Sequence, residues 1–242
     1  MPKILRFSPG LLDRFAGLGY DYGWNRMERI SLPYFVPYTA QIASPELADD
    51  IFMHRLPPEQ DPRWAETGAH SPEEYAHWVE RGCGVACVKM SVEALGGPTR
   101  PLLDWAREGV ALGGYLIEQR ENGESVERGW IHAALARLCH AAGLQAEARP
   151  ATLKEIPEHL RAGRLVIAST SYEIGTEGPV TKRGGHLVVI TGAEVDGGQP
   201  VMFTIHNPSG HFTHLQAGGQ IPAVRFAQGY TGRVIVVWRE NA

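Results

Sequence analysis

The sequence predicts an α+β fold, in which a helical first half packs on an antiparallel sheet formed by the second half. In the first half, apolar residues recur at helical spacing, notably over residues 85–95 and 130–142. In the second half, short runs rich in Val and Ile are separated by glycine-rich turns, which is typical of adjacent antiparallel strands. We expect the functional face where the two halves meet.

The composition is that of a globular protein with an ordinary core. The chain has 242 residues, of which 43 % are hydrophobic, and its formal net charge is −4 at pH 7. The charges are of mixed sign, so neither nucleic acid nor a membrane is an expected partner. Because no repeat, low-complexity segment or linker divides the sequence, we expect one domain over residues 1–242, with residues 1–31 as an N-terminal arm.

The cysteines and the N-terminal residues predict a cytoplasmic protein. Three cysteines cannot form a closed disulfide framework, and they leave at least one free thiol: Cys83, Cys87 and Cys139. Charged residues interrupt the apolar residues of the first 15 positions, so a signal-peptide core is not expected. No run of apolar residues approaches transmembrane length.

The first 60 residues are rich in proline and aromatic residues and are predicted to be irregular but packed. Residues 32–41, Leu-Pro-Tyr-Phe-Val-Pro-Tyr-Thr-Ala-Gln, favour an extended conformation, since proline disfavours helix in the residue before it. Ser44 and Ser71 are each followed by proline, which predicts two helix starts with serine as the N-cap. The second of these helices leads directly to Cys83.

Hydrophobic periodicity, together with the glycines between segments, predicts further helices and strands. Helices are predicted from Cys83 onward and at residues 101–108, 130–142 and 153–161. Strands are predicted at residues 165–170, 186–191, 201–206 and 233–238. A short glycine-rich turn joins the second of these strands to the third, so the two are expected to pair as a hairpin.

Cys83 stands at the predicted start of a helix, between Gly82 and Gly84. The unpaired backbone N–H groups and the positive end of the helix dipole favour a thiolate there, so we expect a lowered thiol pKa. The flanking glycines leave the sulfur approachable. Cys87, one helical turn further on beside Val88, is expected to be buried, as free cysteines usually are. The same structural interpretation is open for Cys83 unless a base lies nearby.

Two residues of the second half provide a candidate base and a group to orient it. His186 begins a strand behind two glycines, and Asn207 directly follows the next strand. In a hairpin the start of the first strand lies opposite the end of the second, so His186 is expected beside Asn207. Alternatively, His186 is one structural histidine among ten, and the Asn-Pro-Ser-Gly run from Asn207 is only a turn.

Taken together, these motifs resemble those of the papain-like cysteine peptidases, and within them family 39, typified by domains that cut leader peptides from bacteriocins. The resemblance covers about residues 32–238. Its motifs are Gly82-Cys-Gly with Met90 seven residues after the cysteine, Gly-Gly-His186 entering a Val-Val-Ile strand, Asn207-Pro-x-Gly, Val36-Pro-Tyr-x-x-Gln41 and Asp61-Pro-Arg-Trp64.

The resemblance implies a papain-like fold with Cys83 as nucleophile, His186 as base and Asn207 as the residue that orients the base. The family commonly has aspartate where Asn207 stands, but asparagine is the choice of papain itself. The resemblance also implies an oxyanion hole made of the Cys83 backbone N–H and a glutamine side chain. No cofactor or metal is implied.

The glutamine of the oxyanion hole is ambiguous in the sequence. The papain-type spacing of six residues before the cysteine leads to His77, whereas the upstream glutamines of this region are Gln41 and Gln60. Gln41 is preferred because it ends the Val-Pro-Tyr segment. Alternatively, Gln41 only forms hydrogen bonds within the irregular segment.

The predicted function is a cytoplasmic thiol hydrolase that cleaves a peptide or amide bond through an acyl-enzyme. The same three residues would also serve an acyltransferase or peptide ligase, and a binding protein without activity could retain the fold. A zinc site built on Cys83, Cys87 and a histidine is a further alternative, although no second pair of ligands lies nearby in the sequence. The expected partner is a peptide or a small amide or acyl substrate, and the oligomeric state stays open.

Overall fold

The computed structural model describes residues 27–120 and 122–240, and the fold is built from seven α-helices and nine strands within these residues. The helices are α1 (Ala48–Phe52), α2 (Pro72–Val79), α3 (Cys83–Ala94), α4 (Leu102–Ala111), α5 (His132–Ala141), α6 (Glu155–Arg161) and α7 (Ala223–Gly229). The strands are β1 (Glu28–Ser31), β2 (Tyr115–Gln119), β3 (Ser125–Trp130), β4 (Gln145–Pro150), β5 (Leu165–Thr170), β6 (His186–Asp196), β7 (Gln199–His206), β8 (Ala217–Pro222) and β9 (Arg233–Trp238).

Seven of the strands form one antiparallel sheet. Its order is β4-β9-β5-β6-β7-β8, and β1 pairs with the second part of β6, with Glu28 opposite Val195. The other two strands, β2 and β3, form a separate hairpin. The helical first half and the largely antiparallel second half confirm the predicted α+β class.

Helix α3 forms the centre of the main core. It packs against β6, and its residues Val85, Val88 and Met90 are fully buried. Strand β5 is buried along its whole length, which explains why its residues 165–168 are continuously apolar rather than alternating. This packing presents the first residue of α3 to the first residues of β6.

The predicted helices and strands are present with small shifts at their ends, and one helix start has a different cap. Ser71 caps α2 as predicted, because its hydroxyl accepts a hydrogen bond from the Glu74 backbone N–H at 3.2 Å. Ser44 does not act as a cap: its hydroxyl donates to Asp61 Oδ1 at 2.7 Å, and a short 3₁₀ helix follows it.

Several elements are not indicated by the sequence. The hairpin of β2 and β3 was not predicted because its residues are mostly exposed and show no apolar alternation. Trp130, which periodicity assigned to a helix, instead ends β3, and α5 begins at His132. The predicted N-terminal arm falls largely on residues 1–26, which lie outside the described residues. No helix among the described residues is long and apolar enough to cross a membrane.

Candidate active site

Cys83 is the first residue of α3, and it lines a cleft of about 470 Å³ together with His186 and Leu187 of β6. The adjacent glycines are required by packing rather than by access to the sulfur. A Cβ on Gly84 would lie 2.8 Å from Trp130 Cδ1, and a Cβ on Gly82 would lie 3.2 Å from the Cβ of Gln41. The Gly-Cys-Gly motif therefore lets two other segments approach the start of the helix closely.

The surroundings of the Cys83 thiol oppose its ionisation. Burial raises its pKa to about 11, although the backbone N–H groups of Leu187, Gly84 and Cys83 itself act in the opposite direction. The prediction of a lowered pKa from the helix terminus alone was therefore wrong, because desolvation of the thiolate outweighs the three N–H groups. The hydrogen bond from the Leu187 N–H nevertheless places the sulfur beside Leu187, the residue that follows His186.

His186 begins β6 after two glycines, Gly184 and Gly185, whose φ angles of +79° and +85° are readily adopted only by glycine. Its ring is buried, and Nε2 lies 2.8 Å from Oδ1 of Asn207. Burial lowers the pKa of His186, and the hydrogen bond to Asn207 partly offsets this shift. The imidazole is therefore neutral at neutral pH.

The orientation of the Asn207 amide is fixed by a second hydrogen bond. The Ser209 backbone N–H donates to the same Oδ1 at 3.2 Å, so the atom that faces His186 is the oxygen. His186 therefore carries its proton on Nε2, and its Nδ1 keeps a free lone pair. The backbone of Asn207 is held by Leu215 and Gln216, whose carbonyls accept from its N–H at 3.2 Å and 2.9 Å.

The Val36-Pro-Tyr-x-x-Gln41 motif ties the first part of the chain to the end of β7. The Val36 carbonyl accepts from His206 Nε2 at 2.9 Å, and the Tyr38 hydroxyl donates to the Asn207 carbonyl at 2.9 Å. The Gln41 backbone N–H donates to the Pro208 carbonyl at 2.6 Å. Through these three hydrogen bonds the motif holds the backbone around Asn207 in place. The sequence of the motif does not reveal this role.

Gln41 is buried, and its side chain lies beside Gly82. Its Nε2 donates to the Val79 carbonyl at 2.6 Å, and its Oε1 has no hydrogen-bond partner among the described residues. The two rivals for the oxyanion hole, Gln60 and His77, are both exposed. Gln41 does not line the cleft itself, so its role at the oxyanion hole stays a prediction.

His206 is a structural histidine rather than an alternative base. Besides its bond to Val36, its Nδ1 accepts from the Gly218 backbone N–H at 2.9 Å, so both ring nitrogens are occupied. Cys87 is buried, as predicted. Among the described residues, Cys83 and Cys87 do not come together with a histidine or carboxylate in a group that could hold a metal.

The β2–β3 hairpin forms a wall of the cleft that the sequence did not indicate. Tyr115 and Trp130 pack with Trp78 of α2, with ring centroids 5.1–5.5 Å apart. The Trp130 indole N–H donates to the Arg81 carbonyl at 2.7 Å, and the Arg81 guanidinium pairs with Glu127 of β3. In the sequence, the signal for this wall is Trp130. Its pattern could not be distinguished from the start of a helix.

No family model and no curated protein matches the sequence. The structure is similar to that of a C39-like peptidase from Bacillus anthracis, with 16 % identity and a TM-score of 0.54, over 89 % of this chain and 100 % of that one.

Two further solved structures are similar at lower TM-scores. The peptidase domain of Streptococcus ComA, described as a bifunctional ABC transporter of a quorum-sensing pathway, gives 15 % identity and a TM-score of 0.44 over 66 % of this chain and 93 % of that one. UfSP from Caenorhabditis elegans gives 13 % identity and a TM-score of 0.45 over 88 % of this chain and 34 % of that one. At such identities a structural likeness concerns the fold alone, and here it rests on the Bacillus anthracis protein. The chain therefore has the α+β, papain-like fold of a C39-like cysteine peptidase.

Proposed function

We propose that this protein is a thiol hydrolase that cleaves a peptide or amide bond, with Cys83 as nucleophile, His186 as base and Asn207 as the orienting residue. The observation that carries the proposal is the 2.8 Å hydrogen bond from His186 Nε2 to Asn207 Oδ1 at a cleft that Cys83 also lines. This bond leaves Nδ1 of His186 as the atom that accepts the thiol proton.

The reaction begins from a neutral thiol and a neutral imidazole. The Cys83 proton passes to Nδ1 of His186 as the sulfur attacks the substrate carbonyl, which forms a tetrahedral oxyanion. The imidazolium then returns this proton to the leaving amine, the carbon–nitrogen bond breaks, and a thioester to Cys83 remains. A water molecule then gives one proton to His186 as its oxygen attacks the thioester. The carbon–sulfur bond breaks, the acid is released, and His186 returns the proton to the sulfur of Cys83.

The oxyanion is assigned to the backbone N–H of Cys83 and to the side chain of Gln41. Gln41 uses one amide hydrogen to bind the Val79 carbonyl, and the second hydrogen of the same Nε2 is the one assigned to the oxyanion. A buried amide that is anchored in this way loses little further freedom on meeting the developing charge, so it favours the transition state over the ground state.

We also propose a reducing compartment such as the cytoplasm, a proposal supported by the free state of all three cysteines.

Intact-mass analysis with a panel of peptide and thioester acyl donors tests the proposed function. We expect an acyl adduct and product formation with the unaltered protein and neither with Cys83→Ala. Cys139→Ala is the matched control, because Cys139 is a buried thiol of α5 away from the cleft, and this variant should keep both. An adduct that persists in Cys83→Ala would remove Cys83 as the nucleophile.

A further inference from the structure

A second cleft, of about 550 Å³, adjoins the cleft that contains Cys83. The two share four lining residues, Arg128, Gly129, Trp130 and His132, so they lie side by side. Strands β4 and β9 and the end of the β2–β3 hairpin form the walls of the second cleft. The second cleft is therefore the immediate neighbour of a substrate chain bound at Cys83.

The ionisable side chains that line the second cleft are all basic. They are Arg128, Arg149, Arg233 and His132, and no carboxylate from the part of the chain that the structure describes lines it. Arg128 is paired with Glu118 at 2.6 Å, and Arg149 forms longer ion pairs with Glu155 at 3.7 Å and with Glu147 at 3.9 Å. Arg233 forms no ion pair or hydrogen bond with another side chain among the described residues. Among the described residues, Arg233 is thus the arginine of this cleft whose charge has no carboxylate partner.

The start of helix α5 adds to the positive potential of Arg233. Helix α5 begins at His132 with no acidic residue in its first turn and no side-chain cap, so the positive end of its dipole lies at the cleft. Burial, and then the charge of Arg233, lower the pKa of His132, so its ring adds no positive charge at neutral pH. The helix terminus makes a bound anion more favourable there than at an ordinary surface arginine.

Strand order sets the distance from this charge to the reacting centre. The start of β6, the end of β5 and the start of β9 lie at the same edge of the sheet, because Thr170 pairs with His186 and Ala168 pairs with Val234. Only β5 separates β6 from β9, so His186 and Arg233 stand on strands about 10 Å apart. An extended peptide advances about 3.3 Å per residue, so this distance corresponds to about three residues.

We propose that the second cleft is a specificity subsite for a carboxylate that the substrate carries about three residues from the bond that Cys83 attacks, with Arg233 and Arg149 as its ligands. The carboxylate belongs either to an acidic side chain or to a chain terminus, since both present the same planar group to a guanidinium. The proposal rests on the proposed function, because it takes Cys83 as the reacting centre.

The test uses iodoacetyl peptides that alkylate Cys83 and does not need a known substrate. Each probe carries no glycine to four glycines after the iodoacetyl group and ends in Glu-amide or in the isosteric Gln-amide. A parallel set ends in glycine with a free or an amidated terminus, which distinguishes a side-chain carboxylate from a terminal one. Intact mass gives the rates, and peptide mapping gives the labelled cysteine.

We expect the charged probe to label Cys83 about tenfold faster than its neutral partner at one spacer length, since an arginine–carboxylate pair is charge-assisted and partly desolvated. In R149Q/R233Q this rate ratio should fall to near one, and in R149K/R233K much of it should remain. Arg29→Gln is the control, because Arg29 pairs with Glu194 at the far end of β6 and its loss should leave the ratio unchanged.

The possible failures are distinguishable. Rapid labelling of Cys83 with a rate ratio near one at every spacer length would overturn the subsite and leave the proposed function intact. A preference for the charged probe that persists in R149Q/R233Q would likewise overturn the subsite alone. Labelling at Cys87 or Cys139 instead of Cys83 would overturn the proposed function and the subsite together.

Discussion

Asn207 Oδ1 accepts two hydrogen bonds at once, from His186 Nε2 at 2.8 Å and from the Ser209 backbone N–H at 3.2 Å. The second bond removes the ambiguity of the amide, since a backbone N–H can only donate. The imidazole is consequently held in a single tautomer whose free lone pair is on Nδ1. In the proposed reaction the side chain of Asn207 therefore acts through His186.

Asn207→Ala should lower turnover and leave the fold in place. Loss of the acceptor frees the His186 ring to adopt the other tautomer, so we expect a loss of roughly 10²- to 10⁴-fold, smaller than that of His186→Ala. The double variant should be no slower than His186→Ala alone, because the asparagine acts only through the ring. Steady-state kinetics measures this, and additive losses would show that Asn207 acts independently.

The pH dependence should follow the shifted pKa values of the two reacting groups. Burial lowers the pKa of His186, so the ring stays unprotonated to a lower pH than a free histidine, and activity should fall only below about pH 6.5. Asn207→Asp keeps the acceptor but adds a negative charge that stabilises the imidazolium. The acid limb of the kcat/KM profile should therefore move to higher pH in this variant, and an unmoved limb would contradict His186 as the base.

Alkylation of Cys83 by iodoacetamide should accelerate as the pH rises above neutrality. The thiolate is the reactive form, and burial raises the pKa of this thiol to about 11. Cys87 and Cys139 should react more slowly at every pH, because both are fully buried. Peptide mapping over a pH series measures this, and a rate that is already at its plateau at pH 7 would indicate a stabilised thiolate instead.

Gln41→Ala distinguishes an oxyanion donor from a structural side chain. If Gln41 meets the oxyanion, turnover should fall by about 100- to 1000-fold with little change in KM. Gln60→Ala and His77→Ala are the controls, and both should retain normal turnover because these side chains are exposed. Thermal melting run in parallel tests the alternative. A lower Tm with normal turnover would show that Gln41 only stabilises the fold through its hydrogen bond to Val79.

Gly84→Ala should destabilise the protein although alanine favours helix. The new methyl would lie 2.8 Å from Trp130 Cδ1 and 3.0 Å from Leu135 Cδ1. Overpacking of this kind costs about 1–3 kcal/mol, which exceeds the gain of about 0.5–1 kcal/mol in helix propensity. Denaturant unfolding should give a lower midpoint, whereas the control Gly178→Ala, with its nearest contact at 3.9 Å, should be close to neutral. An unchanged midpoint for Gly84→Ala would show that Trp130 can move away.

The sequence predicts those parts of the site that local patterns determine. The start of α3 at Cys83 follows from periodicity and glycine, and the contact of His186 with Asn207 follows from a short turn between two apolar strands. The thiol pKa was not predictable, because it depends on burial by distant segments. The hairpin carrying Trp130 is one such segment, and its polar sequence has no strand period.

The long-range ties between Val36 and His206, and between Tyr38 and Asn207, have a consequence for synthesis. They join residues that are 170 and 169 positions apart in the chain. During translation Cys83 leaves the ribosome well before His186, Asn207 and His206. Contacts of such separation form late and slowly. A nascent chain that has reached only β5 thus carries Cys83 without His186 and Asn207, so the cleft cannot assemble until β7 has been synthesised.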